Sequence, residues 1–91
     1  MEKQIKIKNG IGLKNFVKLG YEYCERNEFH WFETYEKHIK DFTNIIVDLN
    51  DGSLSIKYDD DFEHKWYSID EMMLEPEIKF LFDNGYVEII T

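Results

Sequence analysis

Three histidines are the side chains best suited to metal binding or to acid–base chemistry near neutral pH. His30, His38 and His64 fall in neither HExxH nor another metal-ligand spacing. His64 is expected to pack on the apolar face of a strand, whereas His38 lies among charged residues of a predicted helix and should be solvated. We therefore expect no metal site. His30 adjoins Trp31 and is a candidate contact residue.

Nucleophilic and cofactor chemistry also lack a recognisable motif. Cys24 is the single cysteine, which excludes an internal disulfide, and its helical spacing predicts a small core residue. The chain has no glycine-rich phosphate loop and no GxSxG elbow. Carboxylates are abundant, but no pair stands in a context that singles it out for acid–base catalysis. We predict a protein that is not an enzyme, with no catalytic residue and no cofactor.

Charge is distributed unevenly along the chain. Residues 1–40 carry eight Lys/Arg and six Asp/Glu, whereas residues 41–91 carry three lysines and thirteen Asp/Glu. The two parts therefore have net charges of +2 and −10. Because an acidic surface repels phosphate groups, direct nucleic-acid binding is disfavoured. The expected partner is a basic protein.

The densest acidic stretch is Asp59-Asp60-Asp61-Phe62-Glu63. Adjacent carboxylates repel one another and favour water, so the three aspartates predict a fully solvated turn, with weak divalent-cation binding as the alternative. Several aromatic residues, Tyr21 and Tyr86 among them, are expected off the core faces. The predicted partner-binding surface joins the turn to nearby carboxylates and two such aromatics: Asp59, Asp60, Asp61, Glu63, Asp70, Glu71, Trp31 and Tyr67.

The chain is long enough for one domain, spanning residues 1–91. No apolar run reaches the roughly 18–20 residues that a membrane-spanning helix needs. The first residues show no signal-peptide pattern, and the lone cysteine suits a reducing compartment. We expect a cytoplasmic protein without a membrane partner.

The strongest structural signal is a meander in residues 42–69. Alternating apolar residues flank Asp51-Gly52, which predicts a two-residue type I′ hairpin turn. A three-residue loop at the aspartates would then place a third strand on the same apolar face. The predicted cross-strand pairs are Leu49 with Leu54, Val47 with Ile56, Ile45 with Tyr58, Phe62 with Tyr58, His64 with Ile56 and Trp66 with Leu54.

The remaining elements follow from periodicity and capping. Residues 3–8 alternate as a strand with lysines suited to a sheet edge, and residues 12–26 and 29–41 have helical spacing, with a short strand at 29–32 as the alternative. Ser68 and Glu71 form a capping box. A helix from Pro76, with a hairpin as its rival, precedes a strand at 86–90. The predicted fold is α+β: an antiparallel sheet of four or five strands with a central meander and helices packed on one face.

In size, in the −10 charge of residues 41–91 and in the run Asp59-Asp60-Asp61-Phe62-Glu63, the chain resembles small acidic inhibitors encoded by phages and plasmids. These include anti-CRISPR proteins, restriction inhibitors and other DNA mimics, and bacterial immunity proteins are similar. The resemblance implies carboxylates placed where a nuclease expects phosphates, and the cytoplasm of a bacterial host if the chain is phage-encoded. The lysine-rich beginning departs from an all-acidic mimic.

Three functions follow from these observations. The first is a non-catalytic inhibitor that binds a basic nucleic-acid-handling protein, such as a nuclease, through the acidic part of the chain. The second is an accessory protein that joins copies of itself, for example as a homodimer, through an edge strand and exposed aromatics. The third is a small-ligand binder with a pocket between helices and sheet.

Overall fold

The computed structural model describes residues 3–25 and 33–91, and within them the chain is α+β, with seven strands and three short helices. The sheet is larger than the four or five strands predicted. The strands are β1 (Gln4–Ile7), β2 (Glu22–Cys24), β3 (Thr34–Lys40), β4 (Thr43–Asp48), β5 (Ser53–Asp59), β6 (His64–Trp66) and β7 (Val87–Ile90). The helices are α1 (Lys14–Lys18), α2 (Ile69–Met72) and α3 (Pro76–Asp83).

All strand pairs are antiparallel, in the order β2-β3-β4-β5-β1-β7, and β6 pairs with β5 outside this path. The first half of β5 pairs with β1, where Leu54 faces Ile5, and its last residues pair with β6, where Lys57 faces Trp66. Two strands therefore succeed one another along one edge of β5. β1 is also flanked by β7, so the predicted edge position of the first strand is wrong.

The β4–β5 hairpin is present, but its turn is wider than predicted. Val47 faces Leu54 and Ile45 faces Ile56, a shift of two residues that keeps these four side chains on one face. Gly52 has a φ of 78°, whereas Asp51 does not have a positive φ, so the turn is not type I′. Local hydrogen bonds explain the wider turn: the Gly52 amide donates to the carbonyl of Asp48 at 2.8 Å, and the Ser53 amide donates to Asp51 Oδ1 at 2.8 Å.

The third strand of the meander has the opposite phase to the predicted one. Trp66 faces Lys57 and His64 faces Asp59, which places both side chains on the face away from Ile56. The turn before β6 contains four residues, 60–63, rather than three. A change of one residue in loop length moves every following side chain to the other face. The predicted apolar positions of Phe62, His64 and Trp66 are therefore wrong.

Both long helices predicted in residues 12–41 are also wrong. Helix α1 ends at Lys18, and Gly20 follows with a φ of 98°, a conformation that ends a helix readily. Cys24 lies half-buried on β2 rather than on an inward helical face. Residues 34–40 form strand β3, where alternate residues Tyr35 and Ile39 pack against the core. The alternative strand at 29–32 lies outside the described residues.

The C-terminal predictions hold. Ser68 Oγ accepts a hydrogen bond from the Glu71 amide at 3.2 Å, and Glu71 Oε1 accepts one from the Ser68 amide at 3.0 Å, which completes the capping box of α2. Helix α3 begins at Pro76 and buries Ile78 and Leu81. Proline is favourable at the first position of a helix, because the backbone N–H that it lacks would have no partner within the helix. Strand β7 follows, so the rival hairpin is excluded.

One hydrophobic cluster joins the helices to the sheet. The helices contribute Phe16, Met72, Ile78 and Leu81, and the strands contribute Ile5, Ile45, Val47, Leu54, Ile56 and Val87. Tyr21 belongs to this cluster, contrary to its predicted position off the core, and its hydroxyl donates to Glu77 Oε1 at 3.3 Å. In the two described stretches, no helix combines the length and apolar character needed to cross a membrane.

Candidate functional site

The turn between β5 and β6, residues 60–63, is here called the acidic turn, and Asp60 organises it. One carboxylate oxygen, Asp60 Oδ1, accepts the amide of Phe62 at 2.8 Å and that of Glu63 at 2.7 Å. The other, Oδ2, accepts the Tyr58 hydroxyl at 2.5 Å. The Asp60 amide closes the turn by donating to the Glu63 carbonyl at 3.0 Å. The turn therefore has a fixed backbone conformation.

Two opposite pKa shifts reflect this arrangement. Hydrogen bonds from Tyr58 and from the two turn amides lower the pKa of Asp60, because each donor stabilises the carboxylate. The same carboxylate raises the pKa of Tyr58 to about 12, since loss of the phenolic proton would remove a hydrogen bond and place two anions together. Asp60 is half-buried, and both of its carboxylate oxygens accept hydrogen bonds within the turn and from Tyr58. The prediction that all three aspartates lie in solvent is therefore wrong for this residue.

Phe62 lies at the exposed end of the acidic turn. Its side chain is 96% exposed, more than any other large apolar residue in the described part of the chain. Asp61 and Glu63 flank it, are exposed, and make no side-chain hydrogen bond or ion pair within residues 3–25 and 33–91. Two solvated carboxylates and one solvated aromatic ring therefore project from a fixed turn.

A second turn, residues 41–42 between β3 and β4, lies at the same end of the sheet. The Asp59 amide donates to the carbonyl of Phe42 at 2.9 Å, and the rings of Phe42 and Tyr58 meet edge-on with centroids 6.2 Å apart. Phe42 is 58% exposed and has a φ of 59°, rare for an aromatic residue. The exposed residues of the two turns, together with Asp59, are here called the acidic corner: Asp41, Phe42, Asp59, Asp61, Phe62 and Glu63.

Asp59 has partners of its own within the corner. Its carboxylate lies 3.5 Å from Lys57 Nζ and also contacts Nδ1 of His64, its partner across the strands. Lys57 in turn lies over the ring of Trp66, 5.4 Å from the centroid. Trp66 is 56% exposed, so this stack extends the aromatic surface beyond the corner. Part of the charge of Asp59 is compensated locally.

The other described residues of the predicted site, Tyr67, Asp70 and Glu71, lie on α2 or just before it. Glu71 accepts from Lys65 Nζ at 2.5 Å and from the Ser68 amide, which lowers its pKa to about 2. Tyr67 is half-buried, with Lys65 at 5.5 Å from its ring centroid. Asp70 is exposed in the first turn of α2. Trp31 lies outside the described residues. Tyr86, which was expected off the core faces, is half-buried against Phe16 and Phe80.

A cleft of about 500 Å³, here called the sheet cleft, adjoins the corner. Its lining comes from β3, the 41–42 turn, β4 and β5: Glu36, His38, Asp41, Phe42, Asn44, Ile46, Lys57 and Asp59. Within this lining, His38 Nδ1 and Asn44 Oδ1, on directly paired residues of β3 and β4, are hydrogen-bonded at 3.0 Å. The cleft thus combines three carboxylates, an ammonium, an amide and an imidazole with two apolar side chains.

A second cleft, of about 770 Å³, is lined by residues of β1, β5, β6, α2 and β7. Apolar side chains from β5, β6, α2 and β7 line it, including Leu54, Trp66, Met72 and Ile89, together with Ser55 and Asp70. It corresponds in position to the pocket between helix and sheet that the third hypothesis requires. In the part of the chain that the structure describes, no group of three or more His, Cys, Asp or Glu residues is placed to hold a metal ion.

Sequence reasoning missed Phe42 and Phe62 as surface aromatics. The predicted three-residue turn places Phe62 on a strand, whereas the observed turn of four residues leaves it at the exposed end. The available signal was Asp60 itself, since an aspartate that accepts the amides two and three residues ahead forms a wider turn. Comparison with protein-family models, curated proteins and solved structures gave no significant match.

Proposed function

We propose that this protein is a non-catalytic binding protein whose acidic corner docks on a basic surface of a nucleic-acid-handling protein and inhibits it. The observation that carries the proposal is Phe62, almost fully solvated between Asp61 and Glu63 on a turn that Asp60 holds fixed. Such an exposed aromatic ring gains its burial only from a partner. The proposed partner lies in the cytoplasm, that of a bacterial host if the chain is phage-encoded.

The chemistry of the corner matches a protein partner better than a small molecule. Binding energy at protein interfaces concentrates in a few aromatic anchors, and Phe62 and Phe42 supply two at one end of the sheet. Because the acidic turn is already hydrogen-bonded, little conformational entropy is lost when it docks. The flanking carboxylates add charge complementarity to lysine and arginine, which select the partner and its orientation.

The charge of the whole chain supports a basic partner. The net charge is −8 at neutral pH, and thirteen of the nineteen acidic residues lie in residues 41–91. A field of this sign accelerates encounter with a basic cleft, and salt screens it. A surface that carries phosphate contacts on a nuclease has the complementary charge, so the inhibitor and nucleic acid would compete for it.

We further propose that the helices cover one face of the sheet and leave the other face for the partner. Phe16, Met72, Ile78 and Leu81 from the helices share one cluster with Ile45 and Ile56. The opposite side of β3–β5 carries polar residues, among them Glu36, Asn44 and Lys57, which line the sheet cleft. This face continues directly into the acidic corner through Asp41 and Asp59.

The test is affinity capture from host lysate followed by measurement with the purified partner. Immobilised parent, Phe62→Ala and Asp83→Ala proteins are compared, and captured proteins are identified by mass spectrometry. Phe62→Ala should leave the melting temperature unchanged because the side chain is exposed, yet weaken binding by about 2 kcal/mol, roughly 30-fold. Asp83, exposed at the end of α3, serves as the control and should bind as the parent does.

Two further measurements bear on inhibition. Added DNA or RNA should displace the protein from the purified partner, and the protein should reduce the activity of that partner in proportion to occupancy. Equal affinity of the parent and Phe62→Ala, or a captured partner that is acidic and indifferent to nucleic acid, would contradict the proposal.

Self-association through β7 is the second candidate. Among the described strands, β1 is the neighbour of β7, which leaves the other edge of β7 unpaired. Ile89 and Ile90 are 41% and 38% exposed on this strand, and an open edge with apolar side chains can pair with another chain. Light scattering distinguishes this candidate: a dimer that Ile89→Lys converts to a monomer would support it, and a monomer at all concentrations would exclude it.

A further inference from the structure

We propose that Asn9 is a site of spontaneous deamidation in the folded protein, with the backbone nitrogen of Gly10 as the nucleophile. Asparagine precedes glycine at Asn9 and at Asn84, and aspartate precedes glycine at Asp51. Because glycine lacks a Cβ, its nitrogen is the least hindered in an attack on the preceding side chain. The three positions share this feature of the sequence, and the structure distinguishes between them.

The reaction needs only water besides the chain itself. The nitrogen of Gly10 attacks Cγ of Asn9, the new N–Cγ bond closes a cyclic imide, and the Cγ–Nδ2 bond breaks with loss of ammonia, which carries away the amide proton. Water then opens the imide at one of its carbonyls. The product is aspartate, or isoaspartate, in which the main chain runs through the side-chain methylene. Each event adds one negative charge, so the net charge changes from −8 to −9.

Asn9 and Gly10 form the middle of the turn that follows β1. The Ile11 amide donates to the Lys8 carbonyl at 3.1 Å, and Gly10 has a φ of 89°. Both middle residues are exposed, and a Cβ on Gly10 would meet no atom within 4 Å. In the described part of the chain, neither the Asn9 side chain nor the Gly10 N–H makes a hydrogen bond. The peptide between them can therefore rotate towards the reactive geometry while the hydrogen bond that closes the turn stays intact.

Asn84 is held by contacts that Asn9 lacks. Its Nδ2 donates to the Phe80 carbonyl at 2.9 Å, and the Gly85 amide donates to the Phe82 carbonyl at 3.1 Å. The leaving amide and the attacking nitrogen are thus both hydrogen-bonded at the end of α3. Both hydrogen bonds must break before the imide closes, so the folded structure slows the reaction at this position.

Asp51 is also restrained, although it could isomerise through the same imide. The Gly52 amide donates to the Asp48 carbonyl at 2.8 Å, and Asp51 Oδ1 accepts the Ser53 amide at 2.8 Å. The nucleophile and the electrophile are therefore both occupied in the β4–β5 turn. An ionised carboxylate is moreover a poor electrophile, so Asn9 is the reactive position of the three.

The modified turn lies away from the acidic corner. Strand β1 ends beside Gly52, just before β5 begins, whereas the acidic turn follows the other end of β5. Deamidation should therefore leave binding through Phe62 unchanged, and the inference is independent of the proposed function. Isoaspartate lengthens the main chain next to Lys8, whose amide donates to the Tyr86 carbonyl at 3.0 Å. The isoaspartate form should melt below the unmodified protein, because the extra carbon disturbs the turn that follows this contact.

The test compares the two Asn-Gly positions in the folded and in the denatured protein. Purified protein is incubated at mildly alkaline pH and physiological temperature, with and without urea, and peptide mapping by mass spectrometry follows aspartate and isoaspartate at each position. In the folded protein, Asn9 should deamidate about tenfold faster than Asn84 or more, because two hydrogen bonds restrain Asn84. In urea the two rates should become similar, because the contacts that separate them are lost.

Two matched variants assign the charge change that ion-exchange chromatography detects in the folded protein. Asn9→Gln keeps an amide but lengthens the side chain, which disfavours closure of the imide, so this variant should lose the time-dependent gain of negative charge. Asn84→Gln makes the same change at the restrained position and should gain charge as the parent does. Equal rates at the two asparagines in the folded protein, a faster reaction at Asn84, or an undiminished charge gain in Asn9→Gln would overturn the inference.

Discussion

The hydroxyl of Tyr58 donates a hydrogen bond to Asp60 Oδ2 at 2.5 Å and ties the acidic turn to the strand that precedes it. The same carboxylate holds the amides of Phe62 and Glu63 through its other oxygen. One side chain in the most acidic run of the chain therefore has a structural role, whereas the side chains of Asp61, Phe62 and Glu63 stay exposed.

Asp60→Ala should loosen the acidic turn, because it removes the acceptor of three hydrogen bonds. We expect the amides of Phe62 and Glu63 to exchange with solvent about tenfold faster or more, and the melting temperature to fall. Asp61→Ala is the matched control, since its side chain is exposed. Identical exchange in the two variants would show that Asp60 does not organise the turn.

Charge reversal at Asp61 and Glu63 should reduce the rate of association with the proposed basic partner. Both carboxylates are exposed, so the free energy of unfolding of the double lysine variant should lie within about 0.5 kcal/mol of that of the parent. Stopped-flow measurements should show a slower association at low salt and a difference that narrows near 1 M salt, where the Debye length is ~3 Å. An unchanged association rate at low salt would argue against electrostatic guidance by this turn.

Folding lowers the pKa of Glu71 from 4.5 to about 2, chiefly through the hydrogen bond from Lys65. The folded chain therefore keeps this carboxylate charged at pH values where the unfolded chain binds a proton. Its stabilising contribution is present above pH 4.5 and is lost as the pH falls towards 2. Glu71→Gln should melt below the parent at pH 7 and approach it near pH 2 in thermal scans. Asp70→Asn, in the same helical turn, controls for the loss of one charge.

Gly52→Val should destabilise the β4–β5 hairpin by about 1–2 kcal/mol, because a residue with a branched Cβ resists a φ of 78°. The space itself is sufficient, since a Cβ there would lie 3.9 Å from Ile7 Cβ. Gly12→Val is the control, at an exposed glycine outside the left-handed region. Chemical denaturation of both variants measures the difference, and equal midpoints would show that φ at residue 52 carries no cost.

The elements that could be predicted from sequence are those with local signals. Ser68 and Glu71 satisfy each other's backbone groups within one turn, and Pro76 opens a helix by its own geometry. The β4–β5 hairpin was expected because alternation and the glycine agree. The observed register differs by two residues from the predicted one, because hydrogen bonds to Asp48 and Asp51 stabilise a wider turn.

The elements that could not be predicted depend on distant partners. Residues 34–40 carry charges at helical spacing and apolar residues at alternate positions, so both patterns are present, and pairing with β2 and β4 selects the strand. Asp41 lies outside the predicted site, whereas the other acidic residues of the corner, Asp59, Asp61 and Glu63, were expected from charge alone. Phe42 and Phe62 were not, because their exposure follows from the lengths of two turns rather than from composition.

The position of β1, between β5 and β7, has a consequence for the order of folding. β3, β4, β5 and β6 follow one another in sequence and join through short turns, so their pairing closes small loops. Pairing of Gln4 with Ile90 closes a loop of nearly the whole chain, which is slow. We expect the segment that bears the acidic corner to form before the terminal strands dock, and hydrogen-exchange pulse labelling during refolding would show protection in β4 and β5 ahead of β1 and β7.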